Sequence, residues 1–174
     1  IVKGCSTEAG IELASLGIQV HGGMGFVEET GAAQPYRDVR ITTIYEGTTG
    51  IQSNDFVGRK IGRDRGQALA SLVQDMRGEL AALTATQPRV AIARAATLDA
   101  ISALENATQK LLAALAEDPA RAFAVSVPFL RLAGHVCAAW QLTKSADIAA
   151  RRLAEGDPDV DFLRGKIASA EFHA

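Results

Sequence analysis

The sequence is poor in the residues that mark several functional classes. It has two cysteines, Cys5 and Cys137, far apart and without a pattern. That argues against a disulfide scaffold and suits a reducing cytoplasm. Its three histidines, His21, His135 and His173, have no metal-ligand spacing with one another or with the cysteines. No apolar run reaches the roughly 18–20 residues that a membrane span needs. There is no excess of one charge: 18 Lys and Arg stand against 20 Asp and Glu, a net charge of −2. The basic residues are interspersed with acidic ones, so the footprint expected for nucleic-acid binding is missing. What is present is ordinary for a globular chain of 174 residues: 48% apolar and 22% charged.

Two zones differ in texture. Residues 1–65 are rich in Gly, Thr and short motifs, whereas residues 66–174 are Ala- and Leu-rich with helical periodicity. The chain opens on Ile1, and Ile11, Ala14, Ser15 and Ile18 already share a helix face. A helix in progress at residue 1 predicts a piece cut from inside a longer domain. Leu69, Leu72, Val73, Met76, Leu80 and Leu83 form a stripe, and Pro88 is well placed to begin the next helix. That second helix is predicted to run to about Glu117, on Ile101, Leu104, Thr108, Leu111, Leu112 and Leu115. Asp118-Pro119 reads as an N-cap and first helical position. The pattern resumes through Phe123, Val127, Leu130, Val136, Trp140, Ile148 and Leu153, and Pro128 should kink or restart it. "EGDPD" is a turn, and Phe162, Leu163, Ile167 and Ala170 predict a short final helix. Strand alternation is absent. The expected fold is all-α, an antiparallel helical bundle with additional C-terminal helices. His135 and Trp140 read as packing residues, Arg151 and Arg152 as a solvated face, and no chemistry is expected after residue 65.

Two motifs in the first zone carry information. "QVHGGMGF", Gln19 to Phe26, places three glycines after a helix. Such a turn can simply stop the helix, or its N–H groups can cradle a phosphate. No strand precedes it, so it is not the dinucleotide fingerprint. In "YRDVRITTIYEGTTGIQ", Ile41, Ile44 and Tyr45 form an apolar wall before Glu46. A carboxylate against such a wall is desolvated, which raises its basicity and suits a general base. Gly47 leaves room beside it, and Thr48 and Thr49 can cap a helix or offer hydroxyls. The plain alternative is that Glu46 itself caps a helix N-terminus. Arg37, Asp38 and Arg40 read as surface or interface ion pairs.

In this order and spacing the two motifs closely resemble the C-terminal signature region of the acyl-CoA dehydrogenases, over about residues 3–62. The tail resembles the longer members of that family, the group that includes 3-methylmercaptopropionyl-CoA dehydrogenases. The resemblance implies an FAD-dependent oxidation of an acyl-CoA thioester to its 2-enoyl-CoA. Glu46, the E of the Y-E-G-T motif, would remove the α-proton. Some branches carry the base elsewhere and have a small residue here, but this chain has the glutamate. The backbone N–H of Glu46 would hold the thioester carbonyl, and Gly47 would touch substrate. Thr48, Thr49 and Gly50 would contact the flavin. Gln19, Val20, His21, Gly22 and Gly23 would reach the ADP half of FAD, usually across a subunit interface, with His21 as a spacer. Electron-transferring flavoprotein and a homo-oligomer, dimer or tetramer, are the implied partners. The implied division is residues 1–65 as part of the helical dehydrogenase domain and 66–174 as a C-terminal helical extension. The family's N-terminal helical and middle β-domains have no counterpart in these residues. The chain alone is therefore expected to bind FAD weakly or not at all and to be inactive. Two other readings stay open: a helical oligomerisation module without catalysis, and a relative that uses oxygen as oxidant.

Overall fold

The computed structural model describes residues 1–174. Every regular element is helical, and there is no strand. The first helix, α1, spans Val2–Val20 and ends at the glycine motif, which winds into a 3-10 turn over Gly22–Phe26. A short helix, α2 (Ala33–Arg40), and a 3-10 turn at Ile41–Thr43 lead to the Tyr45–Gly47 turn. Then α3 (Thr49–Asp55) runs straight into a π-helical turn at Phe56–Gly62. The second zone holds α4 (Gln67–Ala81), α5 (Pro88–Glu117), α6 (Pro119–Ala124), α7 (Ser126–Ala154) and α8 (Val160–His173).

The helix starts follow from local chemistry. Gln87 and Asp118 accept from backbone N–H groups ahead of Pro88 and Pro119, each at the first helical position. Asp64 accepts from the N–H groups of Gly66 and Ala68, both at 2.9 Å, and so starts α4. Pro128 lies in the first turn of α7, where its missing N–H costs nothing, so the chain restarts at Ser126 and does not kink.

Packing divides into two apolar clusters strung along α5 and α7. One joins the π turn, α4, α5, α6 and α7 through residues such as Ile61, Met76, Leu80, Leu104 and Leu130's neighbour Phe129. The other joins the N-terminal part of α5, the C-terminal part of α7 and α8 through Val90, Ala93, Ala146, Leu163 and Ile167. Leu130, Val136, Leu163, Ile167 and Ala170 are buried as expected, whereas Phe162 and Ile148 are exposed, and the buried face of α7 also takes in Phe129, Ala133, Ala139, Thr143, Ala146 and Ala149. Small residues such as Ala93, Ala146 and Ala170 let α5, α7 and α8 approach closely. Trp140 packs against the larger cluster, with its indole N–H unpartnered.

The predicted solvated face at Arg151 and Arg152 is ion-paired. Arg151 bonds Asp147, which is buried, and Arg152 bonds Asp157. Asp147 also accepts from the N–H groups of Thr84 and Ala85 at 2.9 and 2.8 Å, stapling the α4–α5 link to α7. His135 is exposed and is not the packing residue expected; its ring lies tilted by 35° against that of His173, with centroids 5.7 Å apart.

Candidate active site

The turn that carries Glu46 lies between two short helical pieces and has an unusual backbone. Glu46 has φ +53° and Gly47 has φ +97°. A non-glycine residue in the left-handed region costs about 1–3 kcal/mol and persists only where surrounding contacts impose it. Those contacts come from side chains. Lys3, in the first turn of α1, donates through Nζ to the Tyr45 carbonyl at 2.9 Å and to the Gly47 carbonyl at 2.5 Å. Gln52, on α3, donates through Nε2 to the Glu46 carbonyl at 3.0 Å. Three consecutive carbonyls are thus held from outside the turn. The N–H groups of Glu46, Gly47 and Thr48 have no carbonyl acceptor within the chain.

Helix capping at α3 is done by Thr48, whose hydroxyl accepts from the Ile51 N–H at 3.4 Å. Glu46 lies two residues before that cap and takes no part in it. The Thr49 hydroxyl is committed to the Glu8 carboxylate on α1, at 2.5 Å. Of the stretch expected to touch flavin, Thr48 and Gly50 are exposed at the start of α3, and the Gly50 carbonyl accepts from the Ser53 hydroxyl at 2.8 Å.

The apolar wall expected around Glu46 is open. Ile41, Ile44 and Tyr45 are 54%, 48% and 50% exposed, and the glutamate is itself exposed. The short 3-10 turn at Ile41–Thr43 buries only Thr43, which turns the larger side chains outward. This chain therefore does not supply the desolvation that the sequence predicts for the carboxylate.

The glycine motif divides in two. Gly25 is buried, and a Cβ there would lie 2.2 Å from the Ile18 carbonyl oxygen, so this glycine closes the turn onto α1. Gly22, at φ +61°, and Gly23 would meet nothing within 4 Å if they carried a Cβ. With Gln19, Val20 and His21 they form an exposed edge. Of the charged residues between the motifs, Arg37 pairs with Glu28 on the surface at 3.2 Å, and Arg40 donates to the Thr43 hydroxyl at 3.2 Å.

A groove of about 800 Å³ runs between α1 and α7, bordered by Cys5, Glu8, Thr49, Arg131, His135 and Cys137 among others. It touches the back of the Glu46 turn through Glu8 and Thr49 and does not include Glu46. Burial pushes both cysteine thiols above their ordinary value, so neither has the character of a reactive nucleophile.

Comparison with known proteins decides the ancestry. Residues 66–174 match the family model "Acetyl-CoA dehydrogenase C-terminal like", and residues 1–62 match "Acyl-CoA dehydrogenase, C-terminal domain". The chain belongs to the acyl-CoA dehydrogenase family. Over 177 aligned residues it is 49% identical to 3-methylmercaptopropionyl-CoA dehydrogenase of Ruegeria pomeroyi, covering 100% of this chain and 29% of that protein. It is 34% identical over its whole length to the broad-specificity linear acyl-CoA dehydrogenase FadE5 of Mycobacterium tuberculosis, covering 30% of that relative. The human mitochondrial short-chain specific acyl-CoA dehydrogenase matches only 30% of this chain, at 48% identity over 52 residues. The chain spans less than a third of the length of these two long relatives.

Lys3, Glu8 and Gln52 are the site residues that sequence reasoning missed. Lys3 meets the turn across a separation of 42–44 residues, and Glu8 across 41. Lys3 and Glu8 lie on α1, which no local spacing connects to residue 46, whereas Gln52 closes the motif itself, six residues after Glu46.

Proposed function

We propose that this chain is the base-bearing C-terminal part of an FAD-dependent acyl-CoA dehydrogenase that converts an acyl-CoA thioester to its 2-enoyl-CoA. Residues 1–65 belong to the helical dehydrogenase domain, and 66–174 are its extension. The observation that carries this reading is the state of Glu46. It is exposed, held at φ +53° by bonds from other elements, and relieved of helix capping by Thr48. A glutamate with only a structural job would cap α3 or pair with a cation, and this one does neither among the ion pairs of the chain.

In this role Glu46 takes the α-proton of the thioester. Its own N–H, free of an acceptor, donates to the thioester carbonyl, where negative charge grows as the proton leaves. Gly47 keeps the space beside the carboxylate open for the acyl chain. FAD, when bound, would accept the hydride from the β-carbon. The exposed backbone of Gly22 and Gly23, with Gln19, Val20 and His21, suits the ADP half of that cofactor, and Thr48, Thr49 and Gly50 would lie on its flavin side. These residues form an edge and not an enclosed pocket, so the chain by itself binds FAD weakly and is inactive. The missing desolvation of Glu46 would be restored by the remainder of the parent protein, whose partners would be electron-transferring flavoprotein and further copies of itself, in the reducing cytoplasm that suits its free thiols.

The test is Glu46→Gln in the full-length parent. Anaerobic flavin reduction by an acyl-CoA should slow by about 10²–10⁴-fold, the span typical of a lost general base, with the flavin still bound. Reduction at the unaltered rate would remove Glu46 from this role.

A further inference from the structure

We propose that Lys3 is a positioning residue for the thioester-binding N–H of Glu46. This inference rests on the role proposed for Glu46 and names the group that orients it.

The argument starts from the peptide unit. A trans peptide is planar, and its C=O and N–H point in opposite directions. No peptide bond of this chain is cis. The Tyr45 carbonyl and the Glu46 N–H belong to one such unit, so whatever fixes the first aims the second. Lys3 Nζ takes that carbonyl at 2.9 Å. The same ammonium takes the Gly47 carbonyl, which aims the Thr48 N–H. Gln52 takes the Glu46 carbonyl between them and aims the Gly47 N–H. One cation and one amide therefore gather three carbonyls and leave three N–H groups directed away from their holders.

A second effect is electronic. Hydrogen bonding of a carbonyl to a cation polarises the peptide and makes its N–H a stronger donor, and charge-assisted bonds of this kind are among the stronger ones. Lys3 also lies 5.7 Å from the Tyr45 ring centroid, which keeps the ammonium over that residue. Its anchor is rigid: Gly4, the next residue, is buried, and a Cβ there would meet Leu130 of α7 at 2.6 Å. Glu8, one and a half turns further along α1, holds Thr49 on the far side of the turn. α1 thus acts as a bar against which the left-handed turn is braced at both ends.

The experiment uses the full-length parent with Lys3→Met, which keeps the aliphatic stem, and Lys3→Arg, which restores a cation able to reach both carbonyls. Two readouts are taken: the rate of anaerobic flavin reduction by butyryl-CoA, and the carbonyl stretch of bound [1-13C]crotonyl-CoA, an unsaturated thioester that does not turn over. Lys3→Met should lower the reduction rate by about 10–100-fold, less than the loss seen when such a donor is removed outright. It should also move the carbonyl stretch back towards the value in water. Lys3→Arg should recover most of both. A structural role alone would not shift the carbonyl band. If Lys3→Met yields no soluble protein, Lys3→Gln, a shorter neutral donor, takes its place with the same expectation at intermediate size. The proposal is overturned if the Lys3→Met or Lys3→Gln protein keeps the wild-type rate and band while Glu46→Gln is inactive. An active Glu46→Gln protein would instead overturn the reading of Glu46 on which the inference rests.

Discussion

The two ends of this chain solve the burial problem differently. Before Val57 no large apolar side chain is buried; the buried positions there are Gly4, Gly25, Ala33, Thr43 and Ser53. Leu13, Leu16, Val20, Met24, Phe26, Ile41, Ile44 and Ile51 all stand exposed. From Val57 onward most leucines, isoleucines and valines close into two clusters, with Ile92, Val125 and Ile148 left exposed. The first region is held to the second by polar side chains and close-approach glycines, such as Gly134, where a Cβ would strike the Cys5 sulfur at 2.3 Å. The lesson is that the half bearing the motifs leaves its large apolar side chains open, whereas the half without motifs buries most of its own.

A paired truncation breaks or sharpens this contrast. Leu104→Ala, in a fully buried position, should destabilise the chain by about 2–5 kcal/mol, read from thermal or denaturant unfolding. Leu16→Ala, half exposed on α1, should stay within about 0.5 kcal/mol in the same assay. Equal losses at the two sites would erase the difference between the regions. Asp147→Ala should cost about 1–3 kcal/mol, because the N–H groups of Thr84 and Ala85 lose their acceptor. Asp147→Asn, which keeps one oxygen, should recover part of that loss. The smallest effect lies at the seam. Burial raises the thiols of Cys5 and Cys137 above 9.0, so the stability they contribute is fully present below that value and is lost as pH climbs through the folded-state value. Alkylation by iodoacetamide at pH 8 should accordingly be slower than for an unfolded control, and equal rates would show the seam to be open.

Much of the second zone was legible because its signals are local. Pro88 after Gln87 and Pro119 after Asp118 start helices where capping chemistry says they must. The α4 stripe of Leu69, Val73, Met76 and Leu80 is buried as its period demands. The errors arise where a helix packs on more than one neighbour. α7 touches α5 and α8 largely through alanines, which carry little apolar signal, and the larger Ile148 and Phe162 lie outside. The π turn at Phe56–Gly62 carries no period that distinguishes it from α3. At the candidate site, the Y-E-G-T motif marks Glu46 and the cap at Thr48 but not the left-handed backbone between them. Lys3 and Gln52 hold that conformation; the Gln52 contact spans six residues within the motif, whereas the Lys3 contact crosses more than forty and has no signature in either stretch alone.

The length of α5 and α7 has a mechanical consequence. Each has 29 or 30 residues, about 45 Å of continuous helix, and each runs through both apolar clusters. Amides on these two rails should therefore exchange with deuterium only through the rarest, whole-chain opening, whereas α8, which belongs to one cluster alone, should open by itself and exchange sooner. The rails tie the two apolar clusters to a single thermodynamic fate, with α8 free to report early that the smaller one is failing.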